Sequence, residues 1–177
     1  FKKELTRILE LTADRKSTWL FSATFPEEIH LLIKNCMSPG AHSIQIDQAH
    51  VVNRDIEHRF AICPRSEKME FVADFLRRHN AERGLIFCRT KAGAISLQTQ
   101  LAALGFPIDV LHGDLTQKGR DKVMRGFKKA RFQFLVATDV AARGIDVEGL
   151  HFVLQHQLPE QIAYYTHRSG RTGRAGK

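Results

Sequence analysis

Gly84-Leu85-Ile86-Phe87-Cys88-Arg89-Thr90-Lys91 sets a short apolar run directly against a polar triplet. An unbroken apolar run of this length fits a strand covered on both faces, since a half-exposed strand would alternate. Ala94, Leu97, Leu101 and Leu104 follow at helical spacing, and Gly105 stands where a helix C-cap is expected. The same unit recurs downstream. Ile108 to Leu111, Phe132 to Ala137 and His151 to Leu154 read as further short strands, and a helix from about Thr116 to Lys129 turns Val123 and Phe127 inward. Strands alternating with helices predict an α/β fold, a parallel sheet with helices on both faces. Ligands of such sheets sit at the carboxyl ends of the strands. Polar motifs stand at those ends: Arg89-Thr90, His112-Gly113-Asp114 and Thr138-Asp139.

Upstream, Ile56 to Cys63 alternates like a strand, and Ser66 can cap a helix with Met69, Val72, Phe75 and Leu76 on its apolar stripe. Residues 41–55 are polar without a strong period and read as a linker. Before them, Leu5, Ile8 and Leu9 lie at helical spacing, and Thr18-Trp19-Leu20-Phe21 has the length of a strand. Pro26 opens a helix whose apolar face is Ile29, Leu32, Ile33 and Cys36. The chain starts at Phe1 without a methionine and stops within a motif at Lys177, so it is expected to be a fragment.

Composition narrows the partners. With 27 Lys and Arg against 19 Asp and Glu, the 177-residue chain carries a formal charge of +8, and the excess leans toward Lys118 to Arg131 and Arg168 to Lys177. That balance favours a polyanion, nucleic acid or nucleotide, over a membrane surface. No apolar run approaches the roughly 20 residues of a membrane span. Cys36, Cys63 and Cys88 are widely spaced and form neither a disulfide framework nor a metal pair, which points to a reducing, cytoplasmic setting. The nine histidines are scattered, so no metal site is expected.

The terminal run Tyr165-Thr166-His167-Arg168-Ser169-Gly170-Arg171-Thr172-Gly173-Arg174-Ala175-Gly176 spaces three arginines by three. They would share one face if the run is helical. Permanently charged planar guanidinium groups suit phosphate. The glycines do not make a P-loop, because Arg171 stands where that motif requires glycine.

Five segments then fall in order: Ser22-Ala23-Thr24; Leu85 to Lys91; His112 to Arg120; Ala137-Thr138-Asp139-Val140-Ala141-Ala142-Arg143-Gly144-Ile145-Asp146-Val147; and the terminal arginine run. The series resembles the DEAD-box ATP-dependent RNA helicases over essentially the whole chain. The resemblance implies a RecA-like fold. Residues 1–40 would be the end of a first RecA-like domain, 41–55 the interdomain linker, and 56–177 a second domain cut before its last strand. The P-loop and the DEAD carboxylates would lie ahead of Phe1.

The same resemblance implies an ATPase that opens short RNA duplexes. Arg171 and Arg174 would be catalytic arginine fingers on the γ-phosphate, and Gly144 and Asp146 would bind ATP with them. ATP with Mg²⁺ would be held mainly by the first domain, so neither should bind tightly to this chain alone. Arg89, Thr90, Gly113, Gln117, Arg120 and Thr138 would contact the RNA backbone. Arg120 fits equally a buried ion pair. Asp139, an acid that repels phosphate, would orient backbone or a neighbour, and Phe87 would sit in the core or support the arginine motif. Ser22, Ala23, Thr24, Arg143, His167 and Arg168 would couple the two domains. His156-Gln157 departs from the Tyr-Asp pair usual in the family. The alternative is a non-catalytic RNA-binding or scaffold module. An orphaned strand around Leu20 would expose an edge, which favours self-association.

Overall fold

The computed structural model describes residues 2–22, 27–44, 55–142, 145, 147 and 149–173. The chain divides into two compact units, residues 1–48 and 49–177.

The first unit contains helices α1 (Lys2–Leu11) and α2 (Glu27–Cys36). Ile29, Leu32 and Ile33 are half-buried and Cys36 buried, on the face that their spacing predicts. The strand expected over Thr18 to Phe21 does not form: the segment is irregular, with Trp19 74% and Phe21 87% exposed. Their rings stack on each other at 6.4 Å. A strand exists only where another strand takes its backbone hydrogen bonds, and none of the described residues of this unit does so.

The second unit opens with another departure. Ile56 to Cys63 is irregular, leaving Phe60 and Ile62 exposed, and His58 Nδ1 meets the Tyr165 hydroxyl at 2.5 Å. Alternation describes a surface suited to pairing, which is not yet a pairing. Helix α3 (Lys68–Arg78) starts one residue later than a Ser66 cap would place it, with Glu67 as an N-cap that makes no side-chain bond.

From there the elements run β1 (Gly84–Cys88), α4 (Lys91–Ala103), β2 (Ile108–Leu111), α5 (Gln117–Lys128), β3 (Phe134–Thr138), α6 (Asp139–Ala142), β4 (Phe152–Gln155) and α7 (Ile162–Ser169); the four strands, α4 and α5 are those the pattern predicts, and α6 and α7 are additional. The four strands are ordered β2-β3-β1-β4, and every pairing is parallel. Gly105 adopts φ +87°, the left-handed value that closes a helix.

Successive side chains of a strand point to opposite faces. Ile86, Cys88, Phe134 and Val136 therefore meet Val72, Ala73 and Leu76 of α3 and Ala94, Leu97 and Leu101 of α4. Leu85, Phe87, Leu135 and Ala137 meet Phe127 of α5 and Ala141 and Ala142 of α6. Burying each Leu or Phe of these layers contributes about 1.5–3 kcal/mol. Both faces are covered, which explains why β1 and β3 are buried at every position. Because all strands run the same way, Arg89, His112, Asp139 and His156 all emerge at one edge of the sheet.

Candidate nucleic-acid and nucleotide interface

Two helices begin at that edge. Thr90 is extended (φ −118°, ψ 151°) and its hydroxyl accepts from Gly93 N at 3.1 Å, capping α4. Thr116 caps α5 by accepting from Gly119 N at 3.2 Å. The remaining first-turn N–H groups carry partial positive charge toward the edge. Cations stand beside them, each with an acid. Arg89 Nη1 lies 3.7 Å from Glu160 Oε1, and Lys91 Nζ donates to Asp114 Oδ2. The hydrogen bond from Lys91, and then its charge, hold the Asp114 carboxyl below the usual carboxylate range. The Lys91–Asp114 contact ties the end of β1 to the end of β2.

Of the residues expected on RNA, Arg89, Thr90, Gly113 and Gln117 are exposed here and Arg120 is half-buried. Gln117 Nε2 donates to Asp121 Oδ1 at 2.8 Å within its own helix. Thr138 is different: it closes β3 and is only 8% exposed.

The arginine run is built from α7, and its members part company. The helix ends at Ser169, Gly170 N bonds back to Thr166 O, and Gly173 takes φ +67°. The run therefore does not line up Arg168 and Arg171 on one helical face. Arg168 turns inward and is 1% exposed. Its Nε and Nη2 donate to Asp139 Oδ1 and Oδ2 at 2.6 and 2.7 Å, a bidentate pair. Its Nη1 donates to the Gln157 carbonyl at 2.7 Å and to Gln155 Oε1 at 3.3 Å. Below it lies the Phe87 ring, 5.1 Å from the guanidinium carbon to the centroid. One guanidinium thus fastens α7 to the ends of β1, β3 and β4. Arg168, expected to couple two domains, has its fork engaged inside this one, so a coupling role would run through how it sets α7.

Arg171 is half-buried, and its fork folds back onto backbone: Nε donates to His167 O at 3.2 Å and Nη1 to Ile145 O at 2.9 Å. Beside it is a small cleft of about 40 Å³, lined by Phe87, Asp139, Ala142, Tyr164, His167, Arg168 and Arg171. Thr172 Oγ1 donates to Leu150 O at 2.6 Å and anchors the segment beyond the helix. Ser22 is exposed in the first unit. Ala23, Thr24, Arg143, Gly144, Asp146 and Arg174 lie outside the described residues. Among the described residues no three His, Cys, Asp or Glu side chains gather to hold an ion, so no residue here is assigned to Mg²⁺.

Gln155 carried no expectation from sequence, and His156 and Gln157 stood out only as a departure from the family's pair. Gln155 and Gln157 both accept from Arg168, and Gln157 Oε1 also accepts from Arg89 N at 3.1 Å. Their position directly at and after β4 was the available signal. His156 sits between them with its Nδ1 3.8 Å from Cys88 Sγ. Burial lowers the His156 imidazole to about 4 and lifts the Cys88 thiol to about 11, so both are neutral near pH 7.

The parallel sheet, its two helical layers and the motif-bearing edge define a RecA-like helicase C-terminal domain, and the helicase conserved C-terminal domain family matches residues 67–176. The chain belongs to that family, in its DEAD-box branch. It is 39% identical to the ATP-dependent RNA helicase DbpA of Bacillus subtilis (strain 168), over 99% of this chain and 36% of that one. Dbp5 of S. cerevisiae, solved bound to RNA and ADP BeF3, superposes with a TM-score of 0.87 at 29% identity, covering 99% of this chain and 46% of that one. A DEAD box protein from the hyperthermophile Methanococcus jannaschii gives a TM-score of 0.67 at 40% identity, covering 99% and 47%. The chain spans between about a third and a half of the length of these relatives. Among the described residues no helix is long and apolar enough to cross a membrane.

Proposed function

We propose that the protein containing this chain is an ATP-dependent RNA helicase that opens short duplexes, and that this chain supplies one side of both its nucleotide and its RNA site. The observation that carries the reading is the sheet edge. There, two capped helix N-termini with their cations stand beside an arginine-bearing helix pinned by the Asp139–Arg168 bridge. RNA phosphates would lie against the N-termini of α4 and α5, contacting Arg89, Thr90, Gly113, Gln117 and Arg120 without reading bases. Arg171 and Arg174 would stabilise charge on the transferred phosphoryl group, which in comparable NTPases changes the rate by about three to five orders of magnitude. Arg171 must leave His167 O and Ile145 O to do so, which fits a residue that engages only when two domains close. Gly144 and Asp146 would hold the ribose side of ATP, and ATP with Mg²⁺ would be bound mainly by a first RecA-like domain. Residues 1–40 would belong to that domain and 41–55 to the linker. The three free thiols, Cys36, Cys63 and Cys88, fit a reducing, cytoplasmic setting.

The full-length protein should hydrolyse ATP faster when single-stranded RNA is present and should separate a short RNA duplex. The 177-residue chain alone should bind RNA weakly and hydrolyse nothing. ATPase that ignores RNA, or hydrolysis by the chain alone, would contradict the reading in favour of another motor or another site. The exposed Trp19 and Phe21 also support self-association through residues 1–40. Light scattering of the chain with and without that segment checks it, and strict monomers in both cases would refute it.

A further inference from the structure

Helix α5 carries a second charged surface that the sheet edge does not use. Residues 118–131 hold seven Lys and Arg against a single acid, Asp121, a local excess of six in a chain whose net charge is +8. Lys118, Lys122, Arg125 and Lys129 follow one another at spacings of four, three and four. At 100° per residue they fall within a stripe about 60° wide and, at 1.5 Å per residue, about 16 Å long. All four are exposed, and the stripe lies opposite Phe127, the large side chain that α5 buries. None of the four is ion-paired with a described residue, whereas Arg89 and Lys91 at the sheet edge each have an acid. Asp121, the one acid nearby, is held by Gln117 Nε2.

A solvated basic face is the ordinary fate of such a helix, but solvation alone asks for interspersed acids and no alignment. Two features point to a phosphate backbone instead. The stripe is continuous with the proposed RNA site, because α5 begins at Thr116 and Gln117 on the carboxyl edge and runs from there along the domain. It also contains no exposed aromatic ring: Phe127 is buried and Phe132 stacks on it at 5.6 Å. Single strands gain much of their affinity by stacking bases on aromatic groups. A long row of cations, unpaired among the described residues, suits a duplex in particular, whose phosphates are dense and whose bases are already stacked and need no rings from the protein.

We propose that the outer face of α5 is a second nucleic-acid surface, holding the phosphate backbone of an RNA duplex that adjoins the strand gripped at the sheet edge. The inference rests on the RNA reading above and extends it from the strand to its flanking duplex. Binding should be sequence-independent and steeply salt-dependent.

The test uses the 177-residue chain and two labelled probes, a short single-stranded RNA and the same strand extended by a hairpin. The wild type should prefer the hairpin probe. Replacing Lys118, Lys122, Arg125 and Lys129 by Gln should weaken hairpin binding by about tenfold or more at moderate salt and lower the salt slope by up to about 3.6. Single-strand binding should change by less than about threefold, and replacing the three lysines by Arg should preserve the preference. A wild type that binds the single strand but shows no hairpin preference would overturn this proposal and leave the RNA reading intact. A wild type that binds neither probe would overturn both. Equal losses on both probes would reduce the stripe to a diffuse field, and polyglutamate binding through the same four residues as tightly as the hairpin would make it a surface for acidic protein. Either result would refute the duplex assignment.

Discussion

Helices α7 and α5 use the same kind of side chain to opposite ends. In α7, Arg168 is 1% exposed and surrounded: two carboxylate oxygens, two glutamine oxygens and a phenyl ring take up its fork and its face. In α5, four cations stand in water with no acid paired to them among the described residues. A buried charge is tolerated only when its partners replace water completely, and removing one partner is far worse than never having had the pair. An exposed charge contributes little to the fold and stays available for a ligand. The difference separates structure from recognition within one basic domain: α7's arginine builds the edge, and α5's cations are left to meet something else.

Asp139 is where the largest effect is expected. Asp139→Ala strands the Arg168 guanidinium in the interior and should cost about 3–5 kcal/mol of stability, read from urea unfolding. A loss below about 1 kcal/mol would mean that water reaches Arg168 and that its burial is not what holds α7. A smaller effect tests the same corner through pH. The His156 imidazole is depressed to about 4 by burial, while an unfolded histidine titrates near 6.5. Between those values the unfolded chain binds the extra proton, so stability should fall as pH drops from about 6.5 toward 4. Allowing for the partial exposure of His156, the loss should be about 1–2 kcal/mol, and His156→Gln should flatten that slope. An unchanged slope would place the acid sensitivity elsewhere. On the other side of the comparison, Lys122→Gln should move stability by no more than about 0.5 kcal/mol while lowering the salt slope of hairpin binding by about 0.9. A clear destabilisation would show that α5's face is structural after all.

Much of the fold was legible because β1 and β3 are covered on both faces, so their apolar runs carry no ambiguity about which side is wet. Thr18 to Phe21 has the same look and does not form a strand. Gly84–Cys88 pairs with β3 on one side and β4 on the other, and the earlier segment pairs with nothing among the described residues. Periodicity reports what a segment can bury, and pairing depends on a neighbour elsewhere in the chain. The site followed the same division. Arg89, Thr90 and Gly113 were placed by the rule that parallel strands end at one edge. The Asp139–Arg168 bridge joins residues 29 apart in sequence, and only the return of α7 over the ends of β1, β3 and β4 selects that partner. The retreat of Arg171 onto His167 O was equally hidden, since no sequence pattern says whether a guanidinium reaches outward or back. Packing hid one further constraint. The Phe152 ring lies over Gly84, where an added Cβ would come within 2.1 Å of its Cζ, so this glycine makes room for a neighbouring strand's side chain.

Arg171, proposed to act in turnover, and Arg168, which holds the site's framework, should respond differently to substitution. Steady-state RNA-stimulated ATPase of the full-length protein carrying Arg171→Ala, measured beside its thermal unfolding, tests this directly. Turnover should fall by about three orders of magnitude or more, with the melting temperature and RNA binding close to wild type. Wild-type turnover, or a loss of activity that merely follows a fall in melting temperature, would contradict it.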